Sequence, residues 1–175
     1  MAEFRFARQS NLTRRKQREY RSHNRGARHS AEGNVMAVAR RTQVIDRPVA
    51  EVFDVVADGA NWAKWNPTVR ESRRLGDGEI GNGSRFEWDL RGVGKVVQEF
   101  QEFKENAQVR IVPHIKTVGG GHRFRFTAQG AATRVDHELE MIPKGAFKLF
   151  APMIGMFGRK NLRDTANALQ RHLEP

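Results

Sequence analysis

The chain has no cysteine, a single tyrosine and only six prolines among its 175 residues. The lack of cysteine excludes disulfides, thiolate metal sites and a cysteine nucleophile. The longest nearly uncharged apolar run, residues 149–158, falls far short of the roughly 20 residues that span a bilayer. Nothing in the sequence indicates an oxidising compartment or a secretory signal, so we expect a cytoplasmic protein.

Acidic residues are too few to balance the basic ones, and the formal net charge is +11. Residues 1–35 hold nine Lys or Arg against three Glu, whereas the other 140 residues hold 22 basic and 17 acidic groups. The first segment also has few large apolar residues and no periodicity, so burial does not offset the entropy of ordering it. We therefore predict a disordered basic N-terminal extension over 1–35 and one domain over 36–175.

Three interpretations of residues 1–35 stay open. The segment is an inert or mis-assigned start before Met36, an electrostatic arm for RNA, the ribosome or an anionic membrane, or a targeting peptide. It offers only Phe4, Phe6 and Tyr20 as rings that stack on bases. Charge alone would give affinity without sequence specificity.

The remaining chain predicts a strand, two helices, six strands and a long helix. Residues 37–45 are typical of a strand, and Pro48 then falls near the first position of a helix that Asp58 and Gly59 end. The segment WAKWNP, residues 62–67, predicts a short second helix closed by its proline. Six extended runs separated by Gly, Asn and Asp predict a hairpin meander over 69–74, 84–91, 95–103, 108–114, 122–128 and 133–141.

The last two runs predict their own register. With residues 129–132 as the loop, Ala128 opposes Thr133 and Phe124 opposes His137, which leaves one apolar face and one face of complementary charges. A slip of one residue would put Arg opposite Val. The stretch TVGGGH, residues 117–122, predicts a flexible turn or a movable lip.

The C-terminal region predicts a helix of about five turns that covers the apolar face of the sheet. Pro152 either opens this helix or kinks it. Its predicted buried residues recur at helical spacing: Ile154, Gly158, Leu162, Thr165, Ala166, Leu169 and Leu173.

This order of elements resembles the START-like superfamily known as SRPBCC, or polyketide cyclase/dehydrase and lipid transport. The resemblance covers about residues 38–174, and five segments carry it: VIDRPVAEVFDVVADGANWAKWNPTV, GNGSRF, HRFRF, TRVDHELEM and ALQRHLEP. It implies an α+β helix-grip fold, with a seven-stranded antiparallel sheet curled around a long C-terminal helix and two short helices between strands 1 and 2. It also implies a cavity for a small hydrophobic ligand such as a lipid, polyketide or quinone.

The alternation of the strands and the resemblance together predict the residues that line this cavity. In an ordinary domain the same residues would simply form the core, but a sheet curled over one helix leaves room for a ligand. The predicted cavity residues are Trp62, Trp65, Phe86, Trp88, Leu90, Val109, Ile111, Phe124, Phe126, Val135, His137, Leu139, Met141, Phe150, Ile154 and Phe157.

His122 and His137 are the polar exceptions on the apolar face and are the candidate catalytic residues. The predicted register places them diagonally, so their rings are expected to approach each other, although a buried histidine is often structural. Glu87 or Glu99 would join them if the strand over 95–103 bulges inward. His114 is expected to be exposed.

No spacing typical of metal ligands or of a phosphate-binding loop occurs, so we expect neither a metal nor a cofactor. The leading prediction is binding of a small hydrophobic ligand. One alternative is a polyketide cyclase/dehydratase-type enzyme that uses His122 and His137. Another is an interaction protein, like ribosome-associated or quinone-chaperone members, that uses the basic tail. Trp62 and Trp65 are interpreted as a structural wedge, with Trp65 more deeply buried and Trp62 at the rim.

Overall fold

The computed structural model describes residues 37–175, and the predictions for residues 1–35 lie outside this part of the chain. The predicted order of elements is confirmed. Helices α1 (Val49–Ala57) and α2 (Trp62–Trp65) come early, and a 3-10 segment (Gly145–Phe150) precedes the long helix α3 (Ala151–Leu173). The strands are β1 (Ala37–Ile45), β2 (Val69–Leu75), β3 (Arg85–Leu90), β4 (Gly94–Lys104), β5 (Gln108–Pro113), β6 (Val118–Gln129) and β7 (Ala132–Pro143).

The seven strands form one antiparallel sheet in the order β1-β7-β6-β5-β4-β3-β2. Consecutive strands from β2 to β7 are neighbours, while β1 pairs with β7 and so lies at the opposite edge from β2. Helices α1 and α2 occur in the connection between these two edge strands. Helix α3 packs on β1 and β7, which completes the helix-grip arrangement.

The predicted register of β6 and β7 is confirmed, with Ala128 opposite Thr133 and Phe124 opposite His137. The outer face of this hairpin carries ion pairs between strands. Arg123 contacts Glu138 at 3.1 Å and Glu102 at 3.1 Å. Such pairs on a solvated face contribute about 0.2 to 1 kcal/mol each, so their main effect is on register.

Helix α1 starts directly after Pro48, and the backbone N–H of Asp58 closes it by donating to the carbonyl of Asp54 at 2.9 Å. Its apolar face is buried, as the helical spacing predicts. Phe53 packs edge-on against Phe103 at 5.3 Å and Phe126 at 5.4 Å between ring centroids. These contacts hold α1 against the inner face of the sheet.

Pro152 lies in the first turn of α3, so it opens the helix and does not kink it. The helix then approaches the sheet closely because small residues face it. A methyl group at Gly158 would lie 2.7 Å from the sulfur of Met141, and one at Gly155 would lie 3.4 Å from Cβ of Ala37. The first turns of α3 therefore contact β1 and β7 mainly through glycine.

The glycine-rich stretch is not the turn or lip that was predicted. Gly119, Gly120 and Gly121 belong to strand β6 and pair with β7. A Cβ on Gly120 would lie 2.2 Å from the carbonyl oxygen of Glu140, at φ +100°. A Cβ on Gly121 would lie 2.2 Å from the carbonyl oxygen of Ile111, at φ +146°. These glycines permit close backbone approach between strands, so the predicted turn or lip is wrong.

We expect Gly120→Ala to lower the free energy of unfolding by more than about 2 kcal/mol, because it adds a backbone clash to an unfavourable φ. Urea unfolding followed by tryptophan fluorescence measures the change. Gly81→Ala is the matched control, since no atom lies within 4 Å of the added carbon. The control should change stability by less than about 0.5 kcal/mol. Equal effects of the two substitutions would contradict the packing role.

Candidate functional site

Three tryptophans form the centre of the inner face. The ring of Trp62 stacks on Trp88 at 4.2 Å with an interplanar angle of 23°, and lies 4.6 Å from Trp65. The indole N–H of Trp62 donates to the carbonyl of Val56 at 2.9 Å, and that of Trp88 donates to the carbonyl of Gly59 at 2.7 Å. Both rings are therefore fixed by a polar contact as well as by stacking.

The predicted depth order of the first two tryptophans is wrong. Trp62 is 1% exposed and Trp65 is 8% exposed. Trp62 can lie deeper because its N–H meets the free carbonyl of Val56 near the end of α1. The Nε1 of Trp65, in contrast, is buried and has no hydrogen-bond partner among residues 37–175.

The predicted cavity residues of the sheet are buried or half-buried, whereas two of the three from the helix region are exposed. Phe150 is 52% exposed and Phe157 is 54% exposed, which corrects the prediction that they face inward. The buried face of α3 is set by Ala151, Gly155 and Gly158, and this places Phe157 on the opposite side. Half-buried residues are Leu90, Met141 and Ile154; buried residues are Trp62, Trp65, Phe86, Trp88, Val109, Ile111, Phe124, Phe126, Val135, His137 and Leu139.

The two candidate histidines meet, with Nδ1 of His122 2.8 Å from Nε2 of His137. The ring of His137 stacks on Phe124 at 3.9 Å, and the ring of His122 lies 6.3 Å from Trp62. Burial lowers the pKa of His122 to about 4. The pKa of His137 is also well below its ordinary value, first through burial and then through the repulsion that a protonated His122 and Arg41 exert on its charged form. Both imidazoles are therefore neutral near neutral pH, and one nitrogen donates to the other.

His137 has a second ring nitrogen without a partner. Its Nδ1 is buried and makes no hydrogen bond with any of residues 37–175. A buried polar atom that is removed from water and left unpaired costs about 1 to 3 kcal/mol. The unpaired atom lies beside the stacked aromatic rings of the inner face.

Sequence reasoning missed polar residues on the inner side of β1. Arg41 lies opposite His137 in the register, and its guanidinium donates to Oδ1 of Asn167 on α3 at 2.8 Å. Gln43 donates to the carbonyl of Ala166 at 3.1 Å. Arg41 and Gln43 are an even number of residues from the buried Ile45, so their side chains lie on the same side of β1. This alternation would have identified them from the sequence.

Two further polar residues on the inner side were also missed. Asn66 is 2% exposed, and its Nδ2 donates to Oγ1 of Thr165 on α3 at 3.3 Å. Gln98 is 3% exposed in the middle of β4. In the extended run around Gln98, apolar residues occur at both odd and even positions. Hydrophobic alternation therefore gave no indication that Gln98 is buried.

The predicted inward carboxylates point outward instead. Glu87 contacts Arg73 at 3.0 Å, and Glu99 contacts Arg85 at 3.1 Å, both on the outer face of the sheet. Strand β4 does have an irregular register, but it lies further along, between Gln101 and Lys104. The idea that Glu87 or Glu99 joins the histidines is therefore wrong. His114 is exposed as predicted.

Two open grooves lie on the surface of residues 37–175, and neither contains a predicted cavity residue. One, of about 370 Å³, is lined by residues between Arg74 and Arg85. The other, of about 410 Å³, is lined by residues 113–116 and Lys144. Within the described residues no group of three or more His, Asp or Glu is placed to hold a metal ion. No helix in residues 37–175 is long and apolar enough to cross a membrane.

Several solved structures have the same fold. A START superfamily protein from Mycobacterium smegmatis has a TM-score of 0.68 at 19% identity, over 81% of this chain and 98% of that one. The ZhuI aromatase/cyclase from a Streptomyces species has a TM-score of 0.67 at 14% identity, over 79% and 94%. Norcoclaurine synthase from Thalictrum has a TM-score of 0.62 at 12% identity, over 81% and 96%. These similarities concern the fold.

No curated protein sequence matches this chain. The family model described as polyketide cyclase/dehydrase and lipid transport matches residues 36–174. This match spans every element of the described structure, from β1 to the end of α3. The chain therefore belongs to the polyketide cyclase/dehydrase and lipid transport family.

Proposed function

We propose that this protein binds a small hydrophobic molecule with one polar group, between the inner face of the sheet and α3. The observation that carries the proposal is the buried Nδ1 of His137, which has no partner among residues 37–175. The ring of His137 stacks on Phe124, so a polar atom and an aromatic surface are adjacent. A ligand hydroxyl or carbonyl would pair with this nitrogen while its rings or chain contact the aromatic side chains.

The ligand classes that fit are aromatic polyketides, quinones and lipids with a single polar end. The unpaired Nε1 of Trp65 is a second donor suited to a carbonyl oxygen. The aromatic rings of the inner face pack against one another, so entry requires the first turns of α3 to move away from β1 and β7. In that movement Gly155 would leave Ala37, and Gly158 would leave Met141 and Leu139.

A second candidate function is cyclisation or dehydration of a polyketide, and the 2.8 Å contact between His122 and His137 favours it. A neutral imidazole can remove a proton from a methylene group between two ketones. The resulting carbanion attacks a second carbonyl and forms a carbon–carbon bond. The alkoxide then takes the proton back from the imidazolium, so the pair returns to its starting state.

Ligand binding can be tested with two aromatic probes that differ by a hydroxyl group. We expect naphthol and methylnaphthalene both to quench tryptophan fluorescence as they contact Trp62 or Trp88. His137→Phe should raise the Kd of naphthol about five- to tenfold, since it removes one hydrogen bond, and leave that of methylnaphthalene within about twofold. His114→Phe, at an exposed position, is the control.

Native mass spectrometry of the purified protein completes this test. A co-purifying apolar molecule is the expected result. If none is found and neither probe quenches fluorescence, the inner face is a closed core and the proposal fails.

Catalysis can be tested separately with a linear poly-β-ketone thioester. If the protein is a cyclase, replacing both His122 and His137 by Phe should slow turnover by at least about a hundredfold, because no general base then faces the substrate. Glu99→Gln, on the outer face, should leave the rate unchanged. Product formation at the same rate in the double histidine variant would remove this candidate function and leave ligand binding intact.

The neutral histidines also predict a pH dependence of folding. Below about pH 6.5 the unfolded chain binds protons at His122 and His137 that the folded protein does not, so stability falls as pH falls. Between about pH 7 and about pH 5 the free energy of unfolding should decrease by about 2 to 4 kcal/mol. Urea unfolding across this range measures the slope. His122→Phe with His137→Phe should flatten it, whereas His172→Gln, at an exposed position, should retain it.

A further inference from the structure

The exposed hydrophobic residues are concentrated at the start of α3. Eight large hydrophobic side chains are exposed in residues 37–175, and six of them fall within residues 147–157. The other two, Val44 and Val93, lie elsewhere on the surface. The six are Phe147, Leu149, Phe150, Met153, Met156 and Phe157. Contiguous exposed apolar side chains of this kind mark an interaction surface.

The side chains within α3 lie on one face of the helix. Met153, Met156 and Phe157 are spaced by three and four residues, and Leu149 precedes Met153 by four. The opposite face, which contains Gly155 and Gly158, is buried against the sheet. The apolar face is therefore turned to solvent because its opposite side packs on β1 and β7.

This apolar surface is framed by positive charge. Residues 144–163 contain five Lys or Arg and no Asp or Glu. The first acid after this segment, Asp164, pairs with Lys160 at 2.6 Å and with Arg163 at 3.4 Å. Lys148 and Arg159 are both exposed and lie within or next to the apolar residues.

We propose that residues 144–163 form a basic apolar surface that binds the interface of an anionic phospholipid bilayer. Phe, Leu and Met side chains on one helix face insert among the acyl chains, while the flanking Lys and Arg contact the negatively charged headgroups. The helix would lie in the plane of the interface, supported from below by the sheet. This proposal does not rest on the proposed ligand site.

The positive charge of this surface favours an anionic bilayer over a second copy of the chain and over residues 1–35. A symmetric dimer through the same surface would bring two sets of five cations together, which is unfavourable. Residues 1–35 carry a net charge of +6, so the same repulsion opposes their docking on it. A partner that is both anionic and apolar, such as a phosphatidylserine bilayer, satisfies both parts of the surface.

Vesicle binding of the full chain tests the apolar part. We expect the protein to bind phosphatidylcholine vesicles that contain phosphatidylserine, and to bind pure phosphatidylcholine vesicles much more weakly. Phe150→Ser with Phe157→Ser should lower the partition coefficient by about tenfold or more. Val44→Ser with Val93→Ser removes side chains that are 50% and 56% exposed, and should change it by less than about twofold.

The contribution of the basic residues to vesicle binding is tested with a second set of variants. Lys148→Glu with Arg159→Glu should weaken binding to the anionic vesicles about tenfold, and Lys64→Glu with Lys104→Glu is the matched control at exposed positions elsewhere. Unchanged binding in both test variants would overturn the proposal and would assign any vesicle binding to another part of the chain, such as residues 1–35.

The absence of cysteine permits a direct measurement of insertion. A polarity-sensitive fluorophore on Met156→Cys should shift to the blue on the anionic vesicles, and the same label on Val93→Cys should not. A shift at neither position, despite binding, would overturn the proposal. So would a change in sedimentation mass for Phe150→Ser with Phe157→Ser without a change in vesicle binding, because that result indicates a second copy as the partner.

Discussion

Strands β6 and β7 pair along their whole length, from Val118 with Pro143 to Gln129 with Ala132, and the inner face depends on this register. The pairing puts His122 next to Leu139 and Phe124 next to His137, so the two imidazoles lie diagonally and can meet. At one end of the pairing, Gly120 approaches the backbone of β7 at Glu140 and Gly121 approaches that of β5 at Ile111, both more closely than a Cβ would allow. A shift of either strand by one residue would carry the histidine of that strand to the charged outer face.

The two faces of the sheet differ in electrostatics as a consequence. On the outer face, Arg123 pairs with Glu102 and Glu138, and its hydrogen bond to Glu102 lowers the pKa of that carboxyl. On the inner face, burial keeps His122 and His137 neutral. The charge of Arg41 also lowers the pKa of His137. The guanidinium of Arg41 donates a hydrogen bond to Asn167. Among residues 37–175, the buried polar side chains include His137 and Asn66 but no carboxylate.

Sequence patterns predicted the features that one strand pair or one helix determines by itself. The β6–β7 register could be predicted because its apolar and charged residues alternate without a break, and α1 because Val52, Phe53 and Val56 recur at helical spacing. The glycine stretch was misread because glycines have no side chains that alternate, so the sequence pattern did not extend the β6–β7 pairing beyond His122. Arg41 and Gln43 were missed because only the packing of α3 on β1 makes their positions internal. The outward position of Phe157 likewise depends on which face of α3 meets the sheet.

The two halves of helix α3 pack on the sheet in different ways. Its second half buries Leu162, Leu169 and Leu173, whose large side chains fix the helix to the core. Its first half meets the sheet through Gly155 and Gly158 and turns its largest side chains outward. Moving the first half away from the sheet would uncover Met141 and Leu139, which face Gly158, whereas moving the second half away would also take Leu162, Leu169 and Leu173 out of the core. A ligand that enters beneath α3 would do so at the first half, which is also the part with exposed apolar and basic side chains.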